Sequence, residues 1–185
     1  MSSVVCPWWL GYVLLAPLRR LIERPERMLG PLVREGMTVL EPGCGMGYFT
    51  LPLARMVGPE GLVLAVDLQE KMLAQLRRRA REAGLERRIQ TRLCREDSLD
   101  LDDLAGRADL AVTIHMLHET PRPRDFLEQV CRTLAPGGRL LVVEPKLHVT
   151  RAEFAQCLEH ARQVGFTRLE PPPGIWGHCA LLQKG

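Results

Sequence analysis

The sequence holds no pair of cysteines close enough to share a zinc ion or form a redox motif. Its six cysteines, Cys6, Cys44, Cys94, Cys131, Cys157 and Cys179, stand far apart, with no C-x-x-C among them. Metal and redox sites usually show close ligand spacing, and secreted disulfide scaffolds are usually shorter. Free thiols in a reducing cytoplasm are therefore expected. A strong charge of either sign is also missing, since 25 Lys and Arg against 22 Asp and Glu leave a formal +3. Nucleic-acid binding draws on concentrated basic patches, so no nucleic-acid partner is expected. The basic run "RRRAR" at 77–81 sits in a helical pattern and reads as a solvated face. No apolar stretch reaches membrane length. "VVCPWWLGYVLLAPL" at 4–18 has fifteen residues, is broken by Pro7 and Pro17, and lacks a basic flank. A spanning helix needs about 20 residues, so this segment is expected to fold onto the domain rather than contact a membrane. Repeats, low-complexity tracts and linkers are absent as well. Oligomeric state is not legible.

What is present suits one soluble domain. At 185 residues, 46% of them hydrophobic and 25% charged, the chain can bury a sizeable core but not two. Short apolar runs at 37–41, 62–67, 89–94, 108–114 and 138–144 read as strands buried on both faces. Helical patterns fall at 47–57, 69–83, 123–134 and 150–163. "LAPGG" stops the third of these, and Thr150 with Glu153 makes a capping box for the last. Such alternation predicts a parallel sheet wound on both faces. The ending differs. "GFTRLE" and "WGHCALLQK" are joined by "PPPG" with no helix between, which suits an antiparallel pair at the sheet edge.

The chemistry begins at "VLEPGCGMGYFT", residues 39–50, where Gly43, Gly45 and Gly47 follow a strand and open a helix. That places the loop at the carboxyl end of the first strand, where open α/β sheets bind ligands. A bare strand-to-helix turn would need the same glycines. Asp67 adds context, since it ends the second strand twenty positions after Gly47, where an acid reaches ribose hydroxyls. Asp97, in "CREDS", stands at the mouth of the third strand, as a ligand contact or as a helix-cap or surface carboxylate.

Taken in order, "VLEPGCGMGYFT", "AVDLQEKML", "CREDSLDL" and "LAPGGRLLVVE" resemble the motifs of the class I S-adenosylmethionine-dependent methyltransferases, over roughly residues 25 to 183. The resemblance implies a Rossmann-like seven-stranded sheet of order 3-2-1-4-5-7-6 with strand 7 antiparallel and helices on both faces. It implies S-adenosylmethionine as cofactor. Glu41 and the Gly43, Cys44, Gly45 and Gly47 backbone would face its methionine part, Asp67 its ribose, and Leu68 its adenine. Asp97, with Ser98 beside it, would meet the adenine amino group. His115 would lie near the sulfonium. The family often has Asp where this chain has Glu41.

Methyl transfer from a sulfonium is an in-line displacement, so the protein must align the partners, exclude water and sometimes remove a proton. Candidate catalytic groups follow the fourth and fifth strands: His118 and Glu119 in "HMLHETP", and Glu144 and His148 in "EPKLH". His118 is the expected general base. Plainer readings stand beside this one: His118 or Glu119 could cap the next helix, and Glu144 could pair with Lys146 or Arg139. A metal site built from these four residues is not expected. No Asn/Asp-Pro-Pro-Tyr/Phe follows the fourth strand, which removes the signature of nucleobase and glutamine amino methylation and leaves a small-molecule acceptor. The connection after the fifth strand is too short to carry a substrate cap. Residues 1–24 are therefore expected to cover a core of residues 25–185 within one domain, with Cys6, Trp8 and Trp9 lining the acceptor pocket. The competing readings are a non-catalytic cofactor-binding subunit and an NAD-dependent oxidoreductase.

Overall fold

The computed structural model describes residues 23–185. The expected cover, with Cys6, Trp8 and Trp9, lies outside the described residues. Strands β1 (Thr38–Pro42), β2 (Leu62–Asp67), β3 (Ile89–Leu93), β4 (Ala108–Ile114), β5 (Leu134–Glu144), β6 (Phe166–Leu169) and β7 (His178–Lys184) form one sheet of order β3-β2-β1-β4-β5-β7-β6. The first five are parallel, and β7 lies antiparallel to both β5 and β6. The order and the antiparallel ending are those implied by the motifs. An antiparallel β7 inserted between β5 and β6 removes the architectural ground for the oxidoreductase reading.

The central strands are apolar without alternation because each is covered twice. Leu40, Leu64, Val66, Ala111, Leu140 and Val142 point to one face, where they meet Leu127 and Val130 of α4 (Pro123–Thr133) and Phe154 and Ala161 of α5 (Arg151–Gln163). Val39, Val63, Leu110, Val112, Leu141 and Val143 point to the other. There they meet Met28 and Leu29 of α1 (Pro25–Leu29) and Leu53 of α2 (Thr50–Met56). α3 (Glu70–Glu82) joins that face through Leu73 and Leu76, which pack on Ala65.

Local differences from the sequence pattern have simple causes. α2 starts at Thr50 rather than at residue 47, because the glycine loop consumes the residues before it. β5 reaches back to Leu134 through the expected helix stop, with a register shift between Ala108 and Leu110 on β4 absorbing the irregularity. Thr150 and Glu153 form the expected reciprocal cap at the head of α5. In the basic run, Arg77 pairs with Glu70, Arg78 with Glu82, and Arg79 donates to the Met46 carbonyl.

Candidate functional site

The carboxyl ends of β1, β2, β4 and β5 open onto one cavity of about 1110 Å³. Of the candidate residues, Glu41, Gly43, Cys44, Gly45, Asp67, Leu68, Asp97 and Ser98 line one part of it. His115, His118, Glu119, Glu144 and His148 line the rest.

In the first part, Gly43, Gly45 and Gly47 take φ values of 70°, 54° and 84°, the left-handed region that glycine occupies at no steric cost. A Cβ on Gly45 would meet nothing within 4 Å, so the bare backbone there leaves a cradle in the cavity wall. Gly47 has a different job. It is absent from the cavity wall, and its Cβ would fall 2.4 Å from Leu76 Cδ1, so this glycine lets the loop close onto α3.

Asp67, 8% exposed, staples the loop in place: Oδ2 accepts from Gly45 N at 2.8 Å and Oδ1 from Gln69 N at 2.9 Å. Burial raises its pKa, and those N–H groups pull it partly back. Glu41 lies deeper, 5% exposed, and its Oε2 has no hydrogen-bond partner among the described residues. Burial lifts its pKa to about 8; Thr50 lowers it in part, and the Asp67 charge adds to the rise. Asp97 is a rim residue between Arg95 at 3.6 Å and Arg122 at 3.8 Å. The Ser98 hydroxyl is tied into a turn with Asp100.

In the second part, β4 ends in a sharp change of direction. His115 takes φ 58°, uncommon for a residue with a side chain, and its Nδ1 lies 3.3 Å from a Glu23 carboxylate oxygen. A single 3-10 turn follows, Leu117–Glu119. Glu144, 2% exposed at the end of β5, accepts from Leu117 N at 3.0 Å through Oε1 and bonds His118 Nδ1 through Oε2. This bond raises the His118 pKa above its ordinary value, against the opposing effect of partial burial. The His148 ring centre lies 6.1 Å from that of His118.

The plainer readings of these residues give way. α4 starts with Arg122 at its N-cap and no side-chain cap, so neither His118 nor Glu119 caps it. Arg139 donates to the Leu32 carbonyl, and the partners of Glu144 are Leu117 and His118. Among the described residues no group of three or more His, Cys, Asp or Glu is placed to hold a metal ion. No helix among them is long and apolar enough to cross a membrane, and their five cysteines are free.

Motifs do not mark several residues in the cavity wall or directly behind it. Thr50 lies beside Glu41, and Tyr48 donates to the Glu23 carbonyl at 2.7 Å. Glu153, Gln156, Cys157 and His160 present one face of α5 to the cavity. Their three- and four-residue spacing behind the Thr150 cap was a readable signal. Glu23, outside any motif, had none.

Sheet order, glycine loop and acid at the end of β2 together define the fold class of the S-adenosylmethionine-dependent methyltransferases. The sequence profile described as "Methyltransferase domain" matches residues 33–177, and the chain belongs to that family. A ubiquinone biosynthesis O-methyltransferase of a Caulobacter species is 32% identical over 154 residues, 76% of this chain and 59% of the relative. A ubiquinone/menaquinone biosynthesis C-methyltransferase of Azotobacter vinelandii is 35% identical over 112 residues, 60% of this chain and 44% of the relative. The chain thus spans about half the length of these two curated relatives. A crystal structure described as a SAM-dependent methyltransferase from Aquifex aeolicus superposes with a TM-score of 0.79, covering 97% of this chain and 98% of the other. At 24% identity that likeness concerns the fold alone.

Proposed function

We propose that the protein is a cytoplasmic enzyme that transfers a methyl group from S-adenosylmethionine to a small-molecule acceptor, with His118 as general base. The observation that carries this reading is the hydrogen-bonded pair of His118 and Glu144 in the same cavity as the glycine loop and Asp67. A general base needs a second group to fix its ring, and the buried Glu144 does this by bonding Nδ1, leaving Nε2 to meet the acceptor. A non-catalytic binding subunit has no use for such a pair.

The cavity fits the cofactor. Gly45 leaves a backbone cradle, Glu41 borders the cavity with a buried carboxyl, and Asp67 keeps acceptor capacity toward ribose hydroxyls. At about 1110 Å³ the cavity exceeds the roughly 300–1,000 Å³ that ligand pockets usually provide, so a cofactor and an acceptor have room together. Bound S-adenosylmethionine supplies an activated methyl on sulfur. The chain's own residues do the rest. Glu41 and the loop from Gly43 to Gly45 hold the methionine part, Asp67 the ribose, and Leu68, Asp97 and Ser98 the adenine. His115 borders the reacting sulfur, Glu119 and His148 orient the acceptor, and His118 takes its proton.

Calorimetry tests this directly. S-adenosylmethionine and its demethylated product should both bind, and a screen of acceptors with labelled cofactor should find turnover. Binding of NADH with none of S-adenosylmethionine would refute it.

Residues 4–18 are assigned the cover over the acceptor, with Cys6, Trp8 and Trp9 against it. The chain enters the described fold at Glu23, which sits on His115 and Tyr48, both of the cavity wall. Deleting residues 1–18 should abolish most methylation while cofactor binding persists. Full-rate methylation by the truncated, folded chain rules the cover out.

A further inference from the structure

We propose that Glu41 is a neutral carboxylic acid in the cofactor-free protein and gives up its proton when the cofactor's ammonium group arrives beside it. Cofactor binding would then release this proton to solvent. The inference rests on the methyltransferase reading above and adds a step to it.

The geometry supplies the first half. Glu41 projects from β1 beneath the glycine loop, almost wholly buried, with Oε2 lacking any partner among the described residues. The Thr50 hydroxyl, on α2, is near enough to favour a charge on Glu41 in part but falls short of hydrogen-bond geometry, and it too is buried without a partner. An unpaired buried carboxylate is costly enough that the group protonates instead.

The neighbours agree. From β2, Asp67 adds a like charge; from the loop, Cys44 is a thiol held neutral by burial. β4 presents Val112 and Ile114 to the same cavity, and His115 beyond them is turned to Glu23. None of the groups that shift Glu41 is cationic, and its pKa rises to about 8. Asp67, by contrast, has a backbone N–H donor on each of its oxygens.

The cofactor's chemistry supplies the second half. An opposite charge within about 4–6 Å lowers a carboxyl pKa by about 1–3 units. The methionyl ammonium, held beside the Glu41 carboxyl where it borders the cavity, would shift the group from mostly neutral toward ionised near pH 7, and would be the cation the site lacks. The proton leaves to buffer.

Calorimetry of S-adenosylmethionine binding at pH 7 in phosphate and in Tris, whose ionisation enthalpies differ, counts protons directly. Wild type should release roughly 0.4–0.9 proton with the cofactor, and as much with its demethylated product, which carries the same ammonium. The isosteric Glu41→Gln should release none. Between pH 6 and 7 the cofactor's own amino group, near 7.7–8.0, stays largely charged. Wild-type affinity should rise up to tenfold across that unit and the variant's should stay flat.

No release by wild type, or equal release by Glu41→Gln, overturns the proposal. Release with the sulfonium form alone overturns the assignment to the ammonium. Thermal melts of cofactor-free protein give an independent arm. A carboxyl whose folded pKa is raised makes the native state the better proton binder between about 4.5 and 8, so wild-type stability falls as pH climbs through that window. Gln has no proton to lose. The melting temperature of Glu41→Gln relative to wild type should climb from pH 5 to pH 8.5. A constant difference overturns the neutral acid. A climbing difference without any cofactor binding keeps the neutral acid and overturns the methyltransferase reading.

Discussion

Replacing His118 by alanine should lower turnover by roughly 10²–10⁴-fold, the contribution of a positioned general base, while cofactor affinity stays unchanged. The two readouts separate because His118 sits on the β4–β5 side of the cavity, whereas Glu41, Asp67 and the glycine loop occupy the other. The pH profile carries the mechanism. A base must be neutral to act, and the bond from Glu144 raises the His118 pKa above the ordinary histidine value. The rising limb of kcat/KM should therefore lie above about 6.5. Glu144→Gln keeps an oxygen for Leu117 N but removes the charge, so the limb should move down toward that value while the maximal rate falls.

Stability should follow the same linkage in its own direction. The raised histidine contributes stability that is complete below its unfolded pKa and is lost as pH rises through the folded one. Glu144→Gln should accordingly destabilise more at pH 6 than at pH 9. A His118→Ala enzyme turning over within threefold of wild type would remove the base role, as a thiolate acceptor needing no deprotonation would predict. It would leave cofactor binding untouched.

The division of labour between the two halves of the cavity also explains what the sequence disclosed. Glu41, Asp67 and the glycine loop were legible because their chemistry depends on backbone shape and short spacing. Left-handed turns require glycine, and an acid at the end of β2 faces the loop after β1 wherever the two strands pair, as Glu41 and Ala65 do. The strand order was legible through the missing helix between the last two strands. The pairing of Glu144 with His118 was not. They lie 26 positions apart, and only the register of β4 on β5 brings them together. Sequence alone left Glu144 equally suited to Lys146 or Arg139. At Gly47 a motif records that a glycine is needed without saying whether a ligand or the neighbouring Leu76 is the reason. Glu23 and the α5 face were set by packing, where local patterns carry little. On the α5 face, Cys157 lies near enough to Glu144 for that charge to add to the rise that burial gives its thiol pKa, so acceptor selectivity is expected to depend on this face.

Asp67→Ala should weaken S-adenosylmethionine binding by about 1–3 kcal/mol, the cost of leaving buried polar groups unpaired, or roughly 5–150-fold in affinity. Asp67 performs two tasks with two oxygens, each with capacity for more than one hydrogen bond. One task is visible: Oδ2 and Oδ1 accept from Gly45 N and Gln69 N, fixing the loop after β1 and the entry to α3. The other, holding ribose hydroxyls, is proposed. Alanine removes both, so the melting temperature of the cofactor-free protein should fall along with affinity. Asn separates them in part. It keeps the volume and one acceptor oxygen but turns an NH2 donor toward one of the two backbone N–H groups, so the loop loses one anchor and the ribose loses an acceptor. Asp97→Ala serves as the comparison. Its carboxylate is an exposed rim group between two arginines, and exposed pairs contribute about 0–1 kcal/mol, so stability should barely change. If Asp67→Ala lowers the melting temperature but binds S-adenosylmethionine as tightly as wild type, Asp67 is a structural staple only, and the ribose must be held elsewhere in the cavity.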